Sequence, residues 1–251
     1  MPIAVVTGAS RGIGVALVKA LANAGYRVEA VARNEAQMAQ AYGDEIAAGT
    51  VRCNAIDILD ERSVDGFFAS RFGDTTPDLV FNNAGRFMSL APLWEADSAN
   101  WWSDIEVNVR GTFYMLRAAL RAMRRQDRGI VIDMGGGRPP GASAYALSKA
   151  GVAEMTRAVD IELRQVGSKI IVLLADPGLV DTEMTRVHFK SALGKTWVPE
   201  LVDRIGRGDT RAPTEIANKL IAQLPYMTVE TSGRMFTPDT RTGTFDPIPA
   251  L

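Results

Sequence analysis

Tyr145 and Lys149 stand four residues apart in the stretch VIDMGGGRPPGASAYALSKA, residues 131 to 150. On a helix that spacing puts both side chains on one face. A free tyrosine titrates at about pH 10 and is a poor acid or base at neutral pH. A neighbouring ammonium favours the phenolate and draws its pKa downward, so the pair is expected to move protons to and from an oxygen. Just upstream, Gly135, Gly136 and Gly137 offer no side-chain donor to hold that oxygen. Ser143 is the nearest hydroxyl, but two residues from Tyr145 it does not share its helix face, and it is expected to cap the helix instead. Arg138 offers a second substitute, a guanidinium that polarises the carbonyl or binds an acidic substrate, but is expected to be a solvated loop cation. A backbone N–H from the glycine run is the first substitute donor, because glycine lets backbone approach closely.

A second cluster lies near the start of the chain. VVTGASRGIG places Gly8, Gly12 and Gly14 between an apolar run and a helical pattern. Glycine there permits positive φ and brings N–H groups close to a pyrophosphate, and the following helix N-terminus attracts negative charge. A glycine turn after a strand and before a helix is a nucleotide-binding signal.

The elements that must carry these residues alternate along the chain. PIAVVTG, RVEAVAR, TVRCNAID, DLVFNNAG, GIVIDMG and SKIIVLLADPG read as six strands. GVALVKALANAG, closed by Gly25, and DERSVDGFFASRF read as helices. So do a long run capped near Asp97 or Ser98 and SAYALSKAGVAEMTRAVDIELRQVG. Continuous apolar strands alternating with helices specify an α/β fold: one doubly wound parallel sheet covered on both faces. APTEIANKLIAQL reads as a further helix and GRMFTP as a last short strand. Between them, residues 182 to 212 lack a clean period and are expected to form one or two short helices over a cleft.

Composition narrows the function classes. The 251 residues carry a formal net charge of −1, which argues against an electrostatic nucleic-acid binder. The most basic run, Arg121 to Arg128, is expected to be the solvated end of a helix. Cys53 is the single cysteine and His188 the single histidine, so neither a disulfide, a metal centre nor a Ser-His-Asp triad is expected. No apolar run spans a membrane and no signal-peptide layout opens the chain, so a cytoplasmic protein is the expectation.

TGASRGIG (Thr7 to Gly14), NNAG (Asn82 to Gly85), Asn108, YALSK (Tyr145 to Lys149) and DPGLVDT (Asp176 to Thr182) occur in one order. This ordered set resembles the short-chain dehydrogenase/reductase family from residue 3 to about 182, and more weakly to about 238. The resemblance implies a single Rossmann-like domain over residues 1 to 251 that binds a nicotinamide cofactor. It implies contacts from Gly8, Ser10, Arg11, Gly12, Ile13 and Gly14 in the turn, and from Asp57 and Ile58 at the adenine. It adds Asn82, Ala84 and Gly85 at a strand end, and Pro177, Gly178, Val180 and Thr182 beside the nicotinamide. It assigns Tyr145 as acid/base and has Lys149 also bond the nicotinamide ribose. It has Asn108 hold a water in a proton relay. The family's substrate-orienting serine aligns with Gly135 or Gly136, so that side chain is absent.

Cofactor choice is read at the end of the second strand. A carboxylate there would bond a ribose 2′-hydroxyl and repel a 2′-phosphate. The strand instead ends VEAVARNE, with Ala32 and Arg33, and Arg11 adds a second guanidinium. Planar guanidinium donors suit phosphate, so NADP(H) is the expected cofactor. The resulting expectation is an NADP(H)-dependent enzyme interconverting a carbonyl and an alcohol on an apolar or aromatic small molecule. Phe87, Met88, Leu90, Leu179, Val180, Met184 and Phe189 are the candidate substrate walls. A substrate hydroxyl beside the carbonyl is one way to supply the hydrogen bond that serine would give. An NADP-binding regulator with lost catalysis, and an isomerase or dehydratase on the same scaffold, stay open. A homo-dimer or homo-tetramer is implied by the family, and exposed Trp101 and Trp102 are compatible with it.

Overall fold

The computed structural model describes residues 1–239 and 241–249, including every side chain among them except that of Phe189. Eight strands form one sheet in the order β3-β2-β1-β4-β5-β6-β7-β8. They are β1 (Ile3–Thr7), β2 (Arg27–Ala32), β3 (Val51–Ala55), β4 (Leu79–Asn82), β5 (Ile130–Met134), β6 (Ile171–Ala175), β7 (Arg234–Phe236) and β8 (Asp246–Pro247). The first seven are parallel and β8 pairs antiparallel with β7, a pairing with no forewarning in the sequence reading. The chain direction of the windings reverses between β1 and β4. In such sheets the crevice at the carboxyl ends of those strands is where a ligand binds.

The central strands β1, β4 and β6 bury both faces because their apolar residues alternate between two layers. In β1, Ala4 and Val6 enter one core with Leu17 and Leu21 of α1 (Gly12–Asn23). Ile3 and Val5 enter the other, with Phe67 and Phe68 of α4 (Glu61–Arg71). Two short helices, α2 (Glu35–Ala41) and α3 (Gly43–Ala47), lie between β2 and β3 and were not legible as periodic segments. Asn34 caps α2, its side chain accepting from the Gln37 N–H at 3.0 Å. Asp60 caps α4 through the N–H groups of Arg62 and Ser63, the usual role of a short acceptor at that position.

The long run after Asp97 is helical, with one irregularity. It comprises α5 (Ser98–Ile105), a π-helical turn (Glu106–Gly111) and α6 (Thr112–Met123). Asp97 is the cap, accepting from the Asn100 N–H at 2.9 Å. Wide turns of this kind shift the register of the flanking side chains and frequently sit at functional sites. Here the turn contains Asn108.

Helix α7 (Ser143–Gln165) carries Tyr145 and Lys149 in its first two turns. Ser143 is not its cap. Ala142 occupies that position without a side-chain bond, and the Ser143 hydroxyl accepts from Trp101 Nε1 at 2.9 Å. That bond ties α5 to the start of α7. It also leaves Trp101 half-buried, whereas Trp102 is exposed as expected. Trp102 and Phe113 open a shallow apolar groove of about 590 Å³ across α5, the π turn, α6 and α7.

Three short helices fill the segment expected to cover a cleft: α8 (Glu183–Phe189), α9 (Ala192–Trp197) and α10 (Pro199–Gly206). A capping box between Thr182 and Thr185 starts the first, and Pro199 opens the third. Helix α11 (Pro213–Ile221) packs on α1. No helix among the described residues is long and apolar enough to cross a membrane. Cys53 sits half-buried on β3, where burial, followed by the charge of Glu35, pushes its thiol pKa up.

Candidate active site

A cleft of about 1030 Å³ runs from the glycine turn to the first turns of α7. Its phosphate end is built from β1, α1 and the residues after β4. Gly8 has φ +65°, and a Cβ there would lie 2.8 Å from Ala84 Cα. A Cβ on Gly14 would lie 2.1 Å from the Gly8 carbonyl oxygen. Both positions therefore require glycine for contact, and Gly8 for conformation as well. Thr7 holds the neighbouring segment in place: its hydroxyl accepts from the Ala84 N–H at 2.9 Å, and its carbonyl accepts from Asn83 Nδ2 at 2.9 Å. The bare backbone and the N-terminus of α1 form a cradle suited to a pyrophosphate.

Of the residues expected at the cofactor, Gly8, Ser10, Arg11, Gly12, Ile13, Arg33, Asp57, Ile58, Ala84, Gly85, Tyr145, Lys149, Pro177 and Thr182 line the cleft. Gly14 lies behind the turn against Gly8. Gly178 turns the chain at φ +68° beyond the lining, and Val180 is buried in the core beneath it. Asn82 is the clearest displacement. It ends β4 facing inward, where its Nδ2 donates to Asp133 at 2.8 Å, and Asn83 takes the place facing the cleft. Successive strand residues point to opposite sides, so only one of two adjacent asparagines can face the cleft.

Arg33 is exposed at the cleft edge with no ion-pair partner among the described residues. Arg11 pairs with Glu183 at 3.0 Å, both side chains well exposed. A surface pair of this kind contributes at most about 1 kcal/mol and is readily exchanged for a better anion. Glu29 points away from the cleft, its carboxylate buried beside Arg71 and Asn54.

At the other end, Lys149 Nζ donates to the Met134 carbonyl at 2.8 Å and lies 5.6 Å from the centre of the Tyr145 ring. Burial lowers the Lys149 pKa to about 8, opposed by Asp176 and Asp133. Burial, followed by the charges of Asp176 and Asp104, pushes the Tyr145 hydroxyl well above its ordinary value. This corrects the expectation that Lys149 draws the phenol toward neutrality. Desolvation of the phenolate outweighs the attraction, and the ammonium itself is weakened by the same burial. The Tyr145 hydroxyl is therefore held neutral.

Asn108 also departs from its expected part. It is buried, its Oδ1 accepting from the Arg86 N–H at 2.7 Å. Its Nδ2 donates to the Arg86 carbonyl at 2.8 Å and to Ser148 Oγ at 2.9 Å. Both amide hydrogens are thus committed to protein, which makes the carboxamide a brace. Ser148 in turn donates to the Tyr145 carbonyl at 2.7 Å. The brace links the π turn, the segment after β4 and the first turn of α7.

The glycine run has a definite geometry. Gly135 N–H donates to Ala175 at 2.8 Å, extending the sheet, so it is not available to a substrate. Gly136 and Gly137 N–H have no acceptor among the described residues. A Cβ at Gly136 would stand 2.6 Å from the Tyr145 hydroxyl oxygen, while one at Gly137 would meet nothing within 4 Å. The phenol occupies the space that a side chain at 136 would need. Arg138 is exposed and outside the lining.

The candidate substrate walls are apolar. Phe87, Leu90, Tyr145, Leu179 and Met184 belong to one hydrophobic cluster, and Met88 and Val187 line the cleft nearby. The Phe189 side chain lies outside the described residues. Asp104, which no motif singled out, is fully buried and fixes this wall. It accepts from the N–H groups of Met88 and Ser89 and from Arg86 Nε at 3.2 Å. Asp133 is likewise buried, its carboxyl pushed up to about 6 by desolvation while Asn82, Thr156 and Lys149 oppose the rise.

A short chain dehydrogenase family model matches residues 2–192. The chain is 32% identical over 221 residues to a galactitol 2-dehydrogenase (L-tagatose-forming) of Cereibacter sphaeroides, covering 85% of this chain and 84% of that protein. A metagenomic short-chain oxidoreductase solved with NADP is 28% identical with TM-score 0.69, covering 89% and 90% of the two chains. An NAD+-bound xylitol dehydrogenase shares the fold at TM-score 0.81 and 24% identity, covering 94% and 96%.

Proposed function

The chain belongs to the short-chain dehydrogenase family, and on that basis we propose that it is an NADP(H)-dependent oxidoreductase acting on an apolar or aromatic carbonyl compound. Its family makes it a carbonyl/alcohol oxidoreductase. The observation that carries the finer reading is the joint position of Tyr145 and Lys149 in the same cleft as the glycine cradle. The bare backbone at Gly8 and the N-terminus of α1 fit a pyrophosphate, and Arg33 and Arg11 fit a 2′-phosphate. A bound nicotinamide supplies or accepts the hydride.

Within that frame the chain's own residues handle the proton. Tyr145, neutral because burial disfavours its phenolate, donates a proton from Oη to the substrate oxygen in the reductive direction. Lys149 keeps positive charge beside the ring and favours loss of that proton. Gly136 or Gly137 N–H gives the second hydrogen bond to the oxygen, in place of the serine side chain. The walls formed by Phe87, Met88 and Met184 exclude water and select an apolar body. A second copy of the chain is proposed to cover the groove at Trp102 and Phe113 in a homo-dimer or homo-tetramer. Oxidation of NADPH and NADH by a panel of aliphatic and aromatic ketones tests the reading. Turnover with neither cofactor, on protein that binds NADPH, would leave a nucleotide-binding regulator in its place.

Two outcomes follow directly. Replacing Arg33 by alanine is expected to raise the Kd for NADPH by roughly tenfold and to leave NADH binding nearly unchanged, since one charge-assisted bond to phosphate is removed. Equal weakening of both cofactors in titration calorimetry would remove the basis for NADP(H). The second outcome concerns pH. Lys149 loses its charge as pH rises through about 8, while Tyr145 stays protonated across that range. The kcat/KM for ketone reduction is therefore expected to be level below pH 8 and to fall above it. A Lys149→Met variant should lack that limb, and a profile that rises through the same range would contradict the assignment.

A further inference from the structure

We propose that His188 is a specificity-determining residue whose Nδ1 accepts a hydrogen bond from a hydroxyl carried by the substrate at a distance from its carbonyl. The inference rests on the carbonyl reading above and names the substrate class: a ketone with an apolar body and a distal hydroxyl or phenol.

His188 is the single histidine of the chain, on α8, and it is 8% exposed. Its ring stacks on Phe87 with centroids 4.4 Å apart and an interplanar angle of 26°. Phe87 also lies 4.8 Å from the Tyr145 ring at 30°. His188, Phe87 and Tyr145 thus form one wall of the cleft, all three among its lining residues.

The tautomer follows from one contact. His188 Nε2 is bonded to the Phe87 carbonyl oxygen, which can only accept, so Nε2 carries the hydrogen. Burial pushes the imidazole pKa down, so the ring is neutral at neutral pH. Nδ1 is then a lone-pair acceptor, and it has no hydrogen-bond partner among the described residues. A neutral acceptor in an apolar wall selects a neutral donor, and a hydroxyl or phenol is the fitting group. An entirely apolar ligand would strip water from Nδ1 and return nothing, which makes the site discriminate against it.

Phe87 sets the reach. Because its ring touches both of the others, Tyr145 Oη and His188 Nδ1 are placed within about two stacked-ring spacings of each other, on the order of 6–9 Å. With a hydrogen bond of about 2.8 Å at each end, a hydroxyl on the carbon next to the carbonyl reaches the far end of that range only with both bonds fully in line. A hydroxyaryl group two methylenes from a ketone has the required length.

The test uses 4-phenyl-2-butanone and its 3-hydroxyphenyl and 4-hydroxyphenyl analogues, titrated into protein saturated with NADP+, so that no turnover is needed. The wild-type protein is expected to bind at least one hydroxylated ketone about tenfold more tightly than the parent. His188→Phe keeps the stack on Phe87 and is expected to erase the preference. Loss of the Phe87 carbonyl bond in that variant would weaken all three ligands alike, so the ratio isolates the Nδ1 contact. Because the chain has one histidine, 15N-imidazole NMR gives a second reading on unaltered protein. The Nδ1 signal should move with the preferred hydroxylated ketone and not with the parent. No preference in the wild type, a preference that survives in His188→Phe, or an unmoved Nδ1 signal would each overturn the proposal. Reduction of the same ketones by NADPH is followed separately. Hydroxyl-dependent binding without turnover would count against the oxidoreductase reading and leave the His188 contact standing.

Discussion

Tyr145→Phe is expected to lower kcat/KM for ketone reduction by roughly 10³-fold, within the range of a lost general acid, with cofactor affinity changed little. The substitution removes one oxygen and leaves the packing intact. The ring keeps its contact with Phe87, and the Ser148 hydroxyl still bonds the carbonyl of residue 145. Lys149 keeps its bond to the Met134 carbonyl, so the second turn of α7 holds its place. What disappears is the proton delivered from Oη to the substrate oxygen. Turnover measured beside the NADPH Kd separates catalysis from binding. A variant that retained more than about a tenth of the wild-type rate would show that the proton comes from elsewhere, because a lost general acid costs 10²–10⁴.

Gly136→Ser is expected to reduce activity, although it writes back the residue the family usually carries there. A Cβ at this position would lie 2.6 Å from the Tyr145 oxygen and 3.3 Å from Cε1 and Cζ of the same ring. The ring must move, and Phe87 on one face, itself stacked on His188, leaves no free direction there. Displacing a reacting group by about 1 Å can cost on the order of 10²-fold, so a loss of roughly 10–100-fold in kcat is expected. Gly137→Ser is the control. A Cβ there meets nothing within 4 Å, so the added hydroxyl should leave the rate close to wild type. If Gly136→Ser instead raised turnover, the phenol would have to yield at low cost, and the seat at Gly136 would not be what positions it.

These two variants touch neighbouring atoms and should not add. Tyr145→Phe removes the oxygen that lies nearest the new Cβ, so Gly136→Ser should do less further harm in that background. Residues that share a contact couple in this way. The residual rate of the double variant therefore reports whether the two positions act through the same atom.

The sequence by itself determined the parts that depend on local spacing. Alternation of strand and helix patterns was enough for a parallel sheet with two covered faces. The glycines at 8, 12 and 14 marked the phosphate turn, and four-residue spacing put Tyr145 and Lys149 on one helix face. These follow from the periods of strand and helix, which any short window reveals. Tertiary structure decided which surface meets which. That Asn82 turns inward and Asn83 faces the cleft goes with the register of β4 on β5, which sets Asp133 opposite Asn82. The rise in the Tyr145 pKa comes from burial under Phe87 and from Asp104 and Asp176, residues 41 and 31 positions away in sequence. The bond of His188 to the Phe87 carbonyl closes a separation of 101 residues. Desolvation and long-range hydrogen bonding depend on what packs around a group, and no local pattern encodes that.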